Sequence, residues 1–517
     1  MYNRDLILSI DNGTQSLRAM LFDSAGNIVI KEKVEFAPYF SEKPGRAEQD
    51  PQIFWNALCA ACKKIWQKGD YQKRIAGAAL TTQRATVVNV DKNGEPLRPA
   101  IIWLDQRKAG AIPTTSKGLE AFLKITGINK TVEPFRQKAK SNWIKYNQKD
   151  IWDNTYKYLL LSGYLTYKLT GEFKDSSACQ VGYLPFNYKK NKWEKKQNWK
   201  WKILGLEPNL MPKLYNPGKV IGVITKKASQ ASGIPEAIPL IACAADKACE
   251  VLGTGSVTPN ACCISYGTTA TINITEKKYI KPSFLLPAYP AAIPEHYLLE
   301  EQIYRGYWMI SWFKEEFGYK EKLKAKQLCV APEVLFDKLI KDIPPGSMGL
   351  MLQPYWTPGI KYPGPEAKGA VIGFGDVHTK GYFYKAILEG LAYGLREGKE
   401  KLEKRTKQKT TKLYITGGGS QSDQTMQITA DIFGMNATRG SVYETSGLGA
   451  AIIAAVGLNL HKDWYSAIEA MTATGEVFKP SRKNYDIYNR LYQKVYKKMY
   501  KRLKPFYKDI KKITGYP

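Results

Sequence analysis

The chain has 517 residues, 44% hydrophobic and 24% charged, a globular composition with the length of roughly two to four domains. Lysine plus arginine number 77 against 47 aspartate plus glutamate, a formal charge of +30 that points toward polyanions: nucleic acid, an anionic membrane surface or phosphorylated small molecules. The only histidines are His296, His378 and His461, so a His-based triad, a multi-His zinc site or a di-iron bundle would need nearly all of them.

The predicted elements begin with the apolar run Leu6–Ile10, the turn Asp11-Asn12-Gly13-Thr14 and a second strand, Leu17–Phe22. A polar turn at Ser24–Asn27 leads to a third strand, Ile28–Glu35. Acidic residues flank the first apolar run, so it does not read as a cleavable signal. Helical periodicity covers Ile53–Trp66 and carries the C-x-x-C pair Cys59 and Cys62, which reads as core packing because no second pair sits at zinc-ribbon spacing. Strands are expected at Gly77–Thr82 and Thr86–Val90. The mixture predicts an α/β protein. Polar clusters at two run ends, Thr82-Gln83-Arg84 and Trp103-Leu104-Asp105-Gln106-Arg107, suit polyol recognition, with surface salt bridges as the plain alternative.

Further along, Ile238–Cys243 reads as a strand followed by a helix from Asp246 to Gly253, which leaves Asp246 as either a helix cap or an acid facing a cleft. Cys262–Thr271 then repeats the opening theme: a short apolar strand, a Gly267-Thr268-Thr269 turn and another strand. The repeat divides the chain into two halves, 1–254 and 255–517, and suggests two related lobes. The strand Lys412–Ile415 runs into Gly417-Gly418-Gly419-Ser420 and a helix over Asp423–Phe433. Three glycines before a helix N-terminus allow a flat, anionic ligand close to the backbone. The longest apolar stretch, Gly447–Leu460, is too short to span a bilayer. Eight scattered cysteines do not form a secreted disulfide framework, and a cytoplasmic protein is expected.

Much of the basic excess falls in Tyr188–Lys202, Lys399–Lys412 and Leu491–Ile513, which read as solvated faces. No helix-turn-helix, RNP-like, KH or zinc-finger pattern accompanies them, so nucleic acid is not expected as a partner. A P-loop NTPase or dinucleotide fold is not supported either, since neither G-x-x-x-x-G-K-[ST] nor a strand-linked G-x-G-x-x-G occurs. The two Gly-Thr turns could instead gather phosphate oxygens. Asp11 could hold Mg2+ through water, and Arg18 could offset phosphate charge; two ordinary hairpin turns are the alternative.

In order and spacing, the assembled pieces from Leu6 to about Leu458 resemble the FGGY family of carbohydrate kinases. The resemblance rests on Asp11-Asn12-Gly13-Thr14, Gly45–Pro51, Trp103-x-Asp105-x-Arg107, Tyr158–Gly171, Asp246, Ser265-x-Gly267-Thr268-Thr269, Ala386–Gly390, Gly417–Ser420, Gln427, Ala430-Asp431 and Gly434. It implies a two-lobed actin/hexokinase-like (ribonuclease H-like) ATPase fold with an inter-domain cleft. The N-terminal lobe would bind sugar, and the C-terminal lobe would bind adenosine and end in a basic helix. By resemblance, Asp246 is the catalytic base, Asp11 associates with Mg2+, Gly13, Thr14, Arg18, Gly267 and Thr268 contact the phosphates of ATP, and Gly418, Gly419 and Asp423 hold the adenosine. Gln83, Arg84, Trp103 and Asp246 would face the substrate. Phosphoryl transfer of this kind works by positioning and charge stabilisation, so it needs no histidine.

The implied activity is ATP-dependent phosphorylation of a small sugar, ketose or polyol. Thr82-Gln83-Arg84-Ala85-Thr86 is similar to a glycerol kinase stretch, but Ala85 replaces the glutamate that would bind a glycerol hydroxyl. Lys247 stands where glycerol kinases have glutamine, and it could suit an acidic or already phosphorylated substrate or face solvent. A glycerol or sugar-acid kinase and a catalytically dead, polyanion-binding relative are the rivals. A homodimer is left open.

Overall fold

The computed structural model describes residues 4–37, 39–110, 112, 118, 125, 129–283, 286–359 and 362–515. Strands β1 (Leu6–Asn12) and β2 (Ser16–Phe22) form a hairpin whose aliphatic residues are almost all buried, with Asp11 opposite Arg18 and Asn12 opposite Leu17. Strand β3 (Ile28–Glu35) pairs with the far side of β2 and alternates between half-buried and exposed residues, as a sheet edge should. Helix α1 (Pro51–Trp66) starts where the Asp50 carboxylate accepts the Gln52 N–H and Pro51 presets the first turn. It buries Phe54, Leu58, Cys62 and Ile65, so the C-x-x-C thiols lie in the core. The chain returns as β4 (Ile75–Thr82), parallel to β1. Strands β5 (Val220–Val223) and β6 (Pro239–Ile241) complete a six-stranded sheet in the order β5-β6-β4-β1-β2-β3. Val87–Val90 departs from this sheet and joins a small four-stranded one with Glu48–Gln49, Ala100–Ile101 and Lys157–Leu160.

The second half repeats the plan. Strands β7 (Ala261–Tyr266), β8 (Ala270–Glu276) and β10 (Tyr297–Ile303) form an antiparallel meander, and the short β9 (Tyr289–Pro290) adds at its edge. Beyond β7 come β11 (Lys412–Thr416) and β12 (Ala437–Gly440), both parallel, and then β13 (Thr474–Phe478). Apart from β9, the resulting order, β9-β10-β8-β7-β11-β12-β13, matches the first sheet in pairing pattern, except that the antiparallel edge strand follows its neighbour in the chain here (β13 after β12) and precedes it there (β5 before β6). An antiparallel hairpin extended by crossover-linked parallel strands is therefore built twice, each time opening on a Gly-Thr turn.

Helices α3 (Asp246–Gly253) and α6 (Thr445–Gly457) meet where the halves join. A Cβ on Gly253 would overlap the Thr445 carbonyl, and one on Gly449 would overlap the Cys249 carbonyl. Glycine is needed at both positions for the two helix backbones to touch.

The basic segments have ordinary packing on one side. Tyr188–Lys202 contributes a turn and a short helix whose Trp201 is buried and packs against Trp193. Leu491–Ile513 continues a helical run from Arg482, with one wider turn at Tyr492–Tyr496. Its tyrosines Tyr488, Tyr492, Tyr496 and Tyr500 are buried, three of them around Tyr393 of α4 (Lys380–Thr406), while Lys494, Lys497, Lys498, Lys501 and Lys508 stay exposed. The lysines form a solvated face on an amphipathic helix.

Candidate active site

The ends of β1, β4 and β6 deliver the N-terminal half of the site. The β1–β2 turn is closed by the Gly13 N–H donating to the Ser16 carbonyl at 3.0 Å, and the Gln83 N–H donates to the Asn12 carbonyl at 2.9 Å, so the first turn and the end of β4 are locked together. The Thr14 hydroxyl donates to Gln83 Oε1 at 2.8 Å and accepts from the Trp103 indole N–H at 2.9 Å. Thr14, expected on the phosphate side, is thus bonded to two of the residues expected on the sugar side. Gln83 is buried, and its amide nitrogen has no hydrogen-bond partner. It is a donor in need of a ligand oxygen.

Asp11 faces Arg18 across the hairpin (3.9 Å), and Arg18 also reaches Glu444, just before α6, at 3.2 Å. Burial pushes the Asp11 carboxyl up to about 7; Arg18 opposes this, while Asp246, Glu444 and Glu250 add to it. A buried carboxyl with three carboxylates around it and one neighbouring guanidinium is a fitting place for a divalent cation. Among the described residues no cluster of three or more His, Cys, Asp or Glu is arranged to hold a metal ion.

Helix α3 starts at the end of the β6 run with Ala245 in the cap position, so Asp246 lies in the first turn. Its Oδ1 accepts the Lys247 N–H at 2.7 Å and stands 3.8 Å from Arg84 Nε, and its side chain is 30% exposed. The carboxylate is open to the cleft and is not used as a cap. Burial raises its pKa, and Arg84 and Lys247 pull in the other direction. Lys247 does not face solvent. Its ammonium donates to Glu250 Oε2 at 2.6 Å and, across the cleft, to Ser265 Oγ of β7 at 2.8 Å, and Ser265 in turn donates to Glu250 Oε1 at 2.7 Å. The same ammonium is 3.8 Å from where a Cβ on Gly267 would sit, which puts it beside the second Gly-Thr turn.

Arg84 crosses the cleft too. Its Nη2 donates to both oxygens of Glu300 on β10, at 3.1 and 3.0 Å, and its guanidinium lies over the Tyr289 ring at 5.5 Å. The Glu300 side chain is 3% exposed. Burial pulls the Arg84 pKa down, but Glu300 and Asp246 outweigh it and hold the guanidinium firmly charged.

Trp103 is placed by a buried ion-pair frame. Asp105 accepts from the Ala47 N–H and from Arg107, while Glu48 pairs with both Arg98 and Arg107. The Asp105 and Arg107 side chains are 0% and 3% exposed, so this polar cluster is internal bracing and not a surface salt bridge. Lys140, at the start of α2 (Lys140–Asn147), donates to the carbonyls of Ala85 (2.7 Å), Ile102 (2.7 Å) and Ile101 (3.3 Å). It ties the Arg84 loop to the Trp103 loop and steadies Ala85, whose φ of +57° is left-handed. Sequence reading missed Lys140 and the pairing of Glu300 with Arg84, although Leu299-Glu300-Glu301-Gln302 resembles a Leu-Glu-Gly stretch that the family carries near the substrate. Lys140 sits in a run of surface-like lysines, and Glu300 is remote from Arg84 along the chain.

On the C-terminal side, Gly267 and Thr268 close the β7–β8 hairpin, and Thr268 is exposed. In the triple glycine, a Cβ at Gly417 would press on the Tyr266 backbone and one at Gly419 on Tyr307 and Tyr266, whereas Gly418 opens onto free space. Packing therefore accounts for Gly417 and Gly419, and Gly418 is the one that can face a ligand. Asp423 opens α5 (Asp423–Phe433), is 69% exposed, and accepts from Arg439 at 2.9 Å.

A hairpin-led sheet built twice, with its loop ends meeting at one cleft, defines the class: a two-lobed actin/hexokinase-like ATPase fold. The chain belongs to the FGGY family of carbohydrate kinases, whose N-terminal domain matches residues 6–253 and C-terminal domain residues 262–458. It is 28% identical to xylulose kinase of Staphylococcus epidermidis over 99% of this chain and 98% of that one, and 27% identical to gluconokinase of Bacillus subtilis over 86% of each. Among solved structures, ligand-bound xylulose kinase from Lactobacillus acidophilus superposes with a TM-score of 0.78 at 23% identity, covering 99% of this chain and 98% of that one. The chain is a carbohydrate kinase. Among the described residues no helix is long and apolar enough to cross a membrane.

Proposed function

We propose that the protein transfers the γ-phosphoryl group of ATP to a hydroxyl of a small sugar, ketose or polyol, with Asp246 as general base. The observation that carries this is the position of the Asp246 carboxylate. It is open to the cleft, with the sugar-side Arg84 on one flank, and its neighbour Lys247 reaches the second Gly-Thr turn on the other. A sugar hydroxyl placed against Gln83 and Arg84 gives its proton to Asp246 as its oxygen bonds to the γ-phosphorus, and the bond from that phosphorus to the bridging oxygen of ADP breaks. Burial raises the Asp246 pKa, which strengthens it as a proton acceptor, while Arg84 and Lys247 pull in the other direction. Gly13, Arg18, Gly267 and Thr268 line the phosphate path, and Gly418 offers an open backbone to the adenosine. A magnesium ion held by Asp11 together with phosphate oxygens would supply positive charge to the polyphosphate. No histidine takes part.

The test is ADP formation measured with a panel of ketoses and polyols. The expected result is turnover that requires both ATP and one of these sugars; ATP hydrolysis indifferent to every sugar would contradict the proposal.

A further inference from the structure

The relatives include kinases named for a neutral ketose, xylulose, and for a carboxylated sugar, gluconate. The charge arrangement of the cleft separates these two classes. A site that selects a sugar carboxylate needs a cation with free donors facing it, because burying an unpaired carboxylate is heavily penalised. Among the described residues, the cations set among the sugar-side residues are Arg84, Lys140 and Lys247. Arg84 gives one amino group to both oxygens of Glu300. Lys140 directs its ammonium at three main-chain carbonyls. Lys247 is paired with Glu250 and bonded to Ser265. Arg305, at the end of β10, lies over the Trp308 ring at 4.9 Å.

Resting on the kinase reading above, we propose that the substrate is an uncharged sugar or polyol, and that Glu300 enforces this choice by occupying Arg84. Glu300 is delivered by strand alternation. On β10 it faces inward, 3% exposed at its side chain, while its neighbour Glu301 packs toward Gly398 of α4. Its carboxylate does two things. It repels a second carboxylate and holds Arg84, beside the open Asp246 carboxylate that offers acceptor oxygens to hydroxyl groups. The unpartnered amide nitrogen of Gln83 presents N–H groups to hydroxyl oxygens. Alternating donors and acceptors suit a polyhydroxy chain, each of whose hydroxyls both gives and takes a hydrogen bond. Arg84 therefore works as half of a neutral pair, and the likeness of Gln83-Arg84 to a glycerol kinase stretch does not by itself say which sugar binds.

The experiment compares kcat/KM for xylulose, a polyol panel and gluconate in the wild-type protein and in Glu300→Gln. In the wild type, at least one neutral sugar is expected to exceed gluconate by about a hundredfold or more, the scale of leaving a buried charge unpaired. Glu300→Gln keeps the shape and removes the charge, so the gluconate-to-neutral ratio is expected to rise by about tenfold or more as Arg84 gains a free fork. Efficient gluconate turnover by the wild type overturns the proposal and leaves the kinase reading intact. An unchanged ratio in a folded Glu300→Gln overturns the role of Glu300. If that variant does not fold, Glu300→Asp, which keeps the charge and retracts it, is expected to keep the neutral preference, and a switch to gluconate there counts against the proposal. Turnover of no sugar at all would instead overturn the kinase reading, and this proposal with it.

Discussion

The two Gly-Thr turns look alike in sequence and close equivalent hairpins, but their surroundings differ. Around the first, Thr14 is tied to Gln83 and Trp103, and Asp11 and Arg18 sit in a charge network that includes Glu444 of the other half. The second is open: Thr268 is exposed, and the Lys247 ammonium lies beside Gly267. Duplication of the hairpin accounts for where the turns lie. What each can do depends on the neighbours that other segments bring to it. The first turn couples the phosphate path to the sugar loops, while the second is left free for a ligand and is served by a cation from the opposite half.

Substitutions can break this comparison. The largest effect is expected from Lys247→Gln, which removes the charge at the open turn. kcat should fall about a hundredfold with the sugar KM nearly unchanged, in line with the loss of one preorganised charge-stabilising group. A rise in sugar KM at constant kcat would show that Lys247 serves binding instead. Next comes a matched pair. Thr14→Val should raise the sugar KM about tenfold, because it releases Gln83 and Trp103, while Thr268→Val should act on the ATP KM. Equal effects of the two variants on both substrates would erase the distinction between the turns.

The smallest expected effect on turnover comes from Lys140→Met, which loosens the Arg84 and Trp103 loops from behind, and its sharper signature is in stability. Burial pulls the Lys140 pKa down to about 7, helped by Arg107 and Arg98 and opposed by Asp105. Between that value and the ordinary lysine range near 10.4, the unfolded chain holds a proton that the folded chain has lost, so this group makes stability rise with pH across the window. Chemical denaturation at pH 7 and pH 9 should show a smaller rise for Lys140→Met than for wild type; an identical slope would contradict the assignment.

The hairpins, the triple-glycine connection and the helix after Asp246 were legible because each is local: an apolar run, a Gly-bearing turn, a change of period. The Trp103–Arg107 cluster was legible as polar but not as internal, since its burial depends on Glu48 and on Ala47, far upstream. Lys247 was visible as the neighbour of Asp246, but its direction depends on Ser265 from the other half. The partner of Glu300 was hidden for a related reason. Strand alternation says that Glu300 and Glu301 face opposite ways, but only the pairing of β10 with β8 settles which one meets Arg84. Charge showed the same limit. The excess of 30 positive charges pointed to polyanions, yet the long basic C-terminal run is the outer face of a tyrosine-lined helix, and the sugar-side cations are paired or held by carbonyls.

The central claim is that Asp246 is the base of a sugar kinase, and Asp246→Asn tests it most directly, since it keeps the size of the side chain and removes its ability to accept the proton. Sugar-dependent ADP release should drop by at least about a hundredfold, while calorimetric ATP binding stays within about threefold of wild type. Sugar phosphorylation at the wild-type rate in that variant would contradict the account.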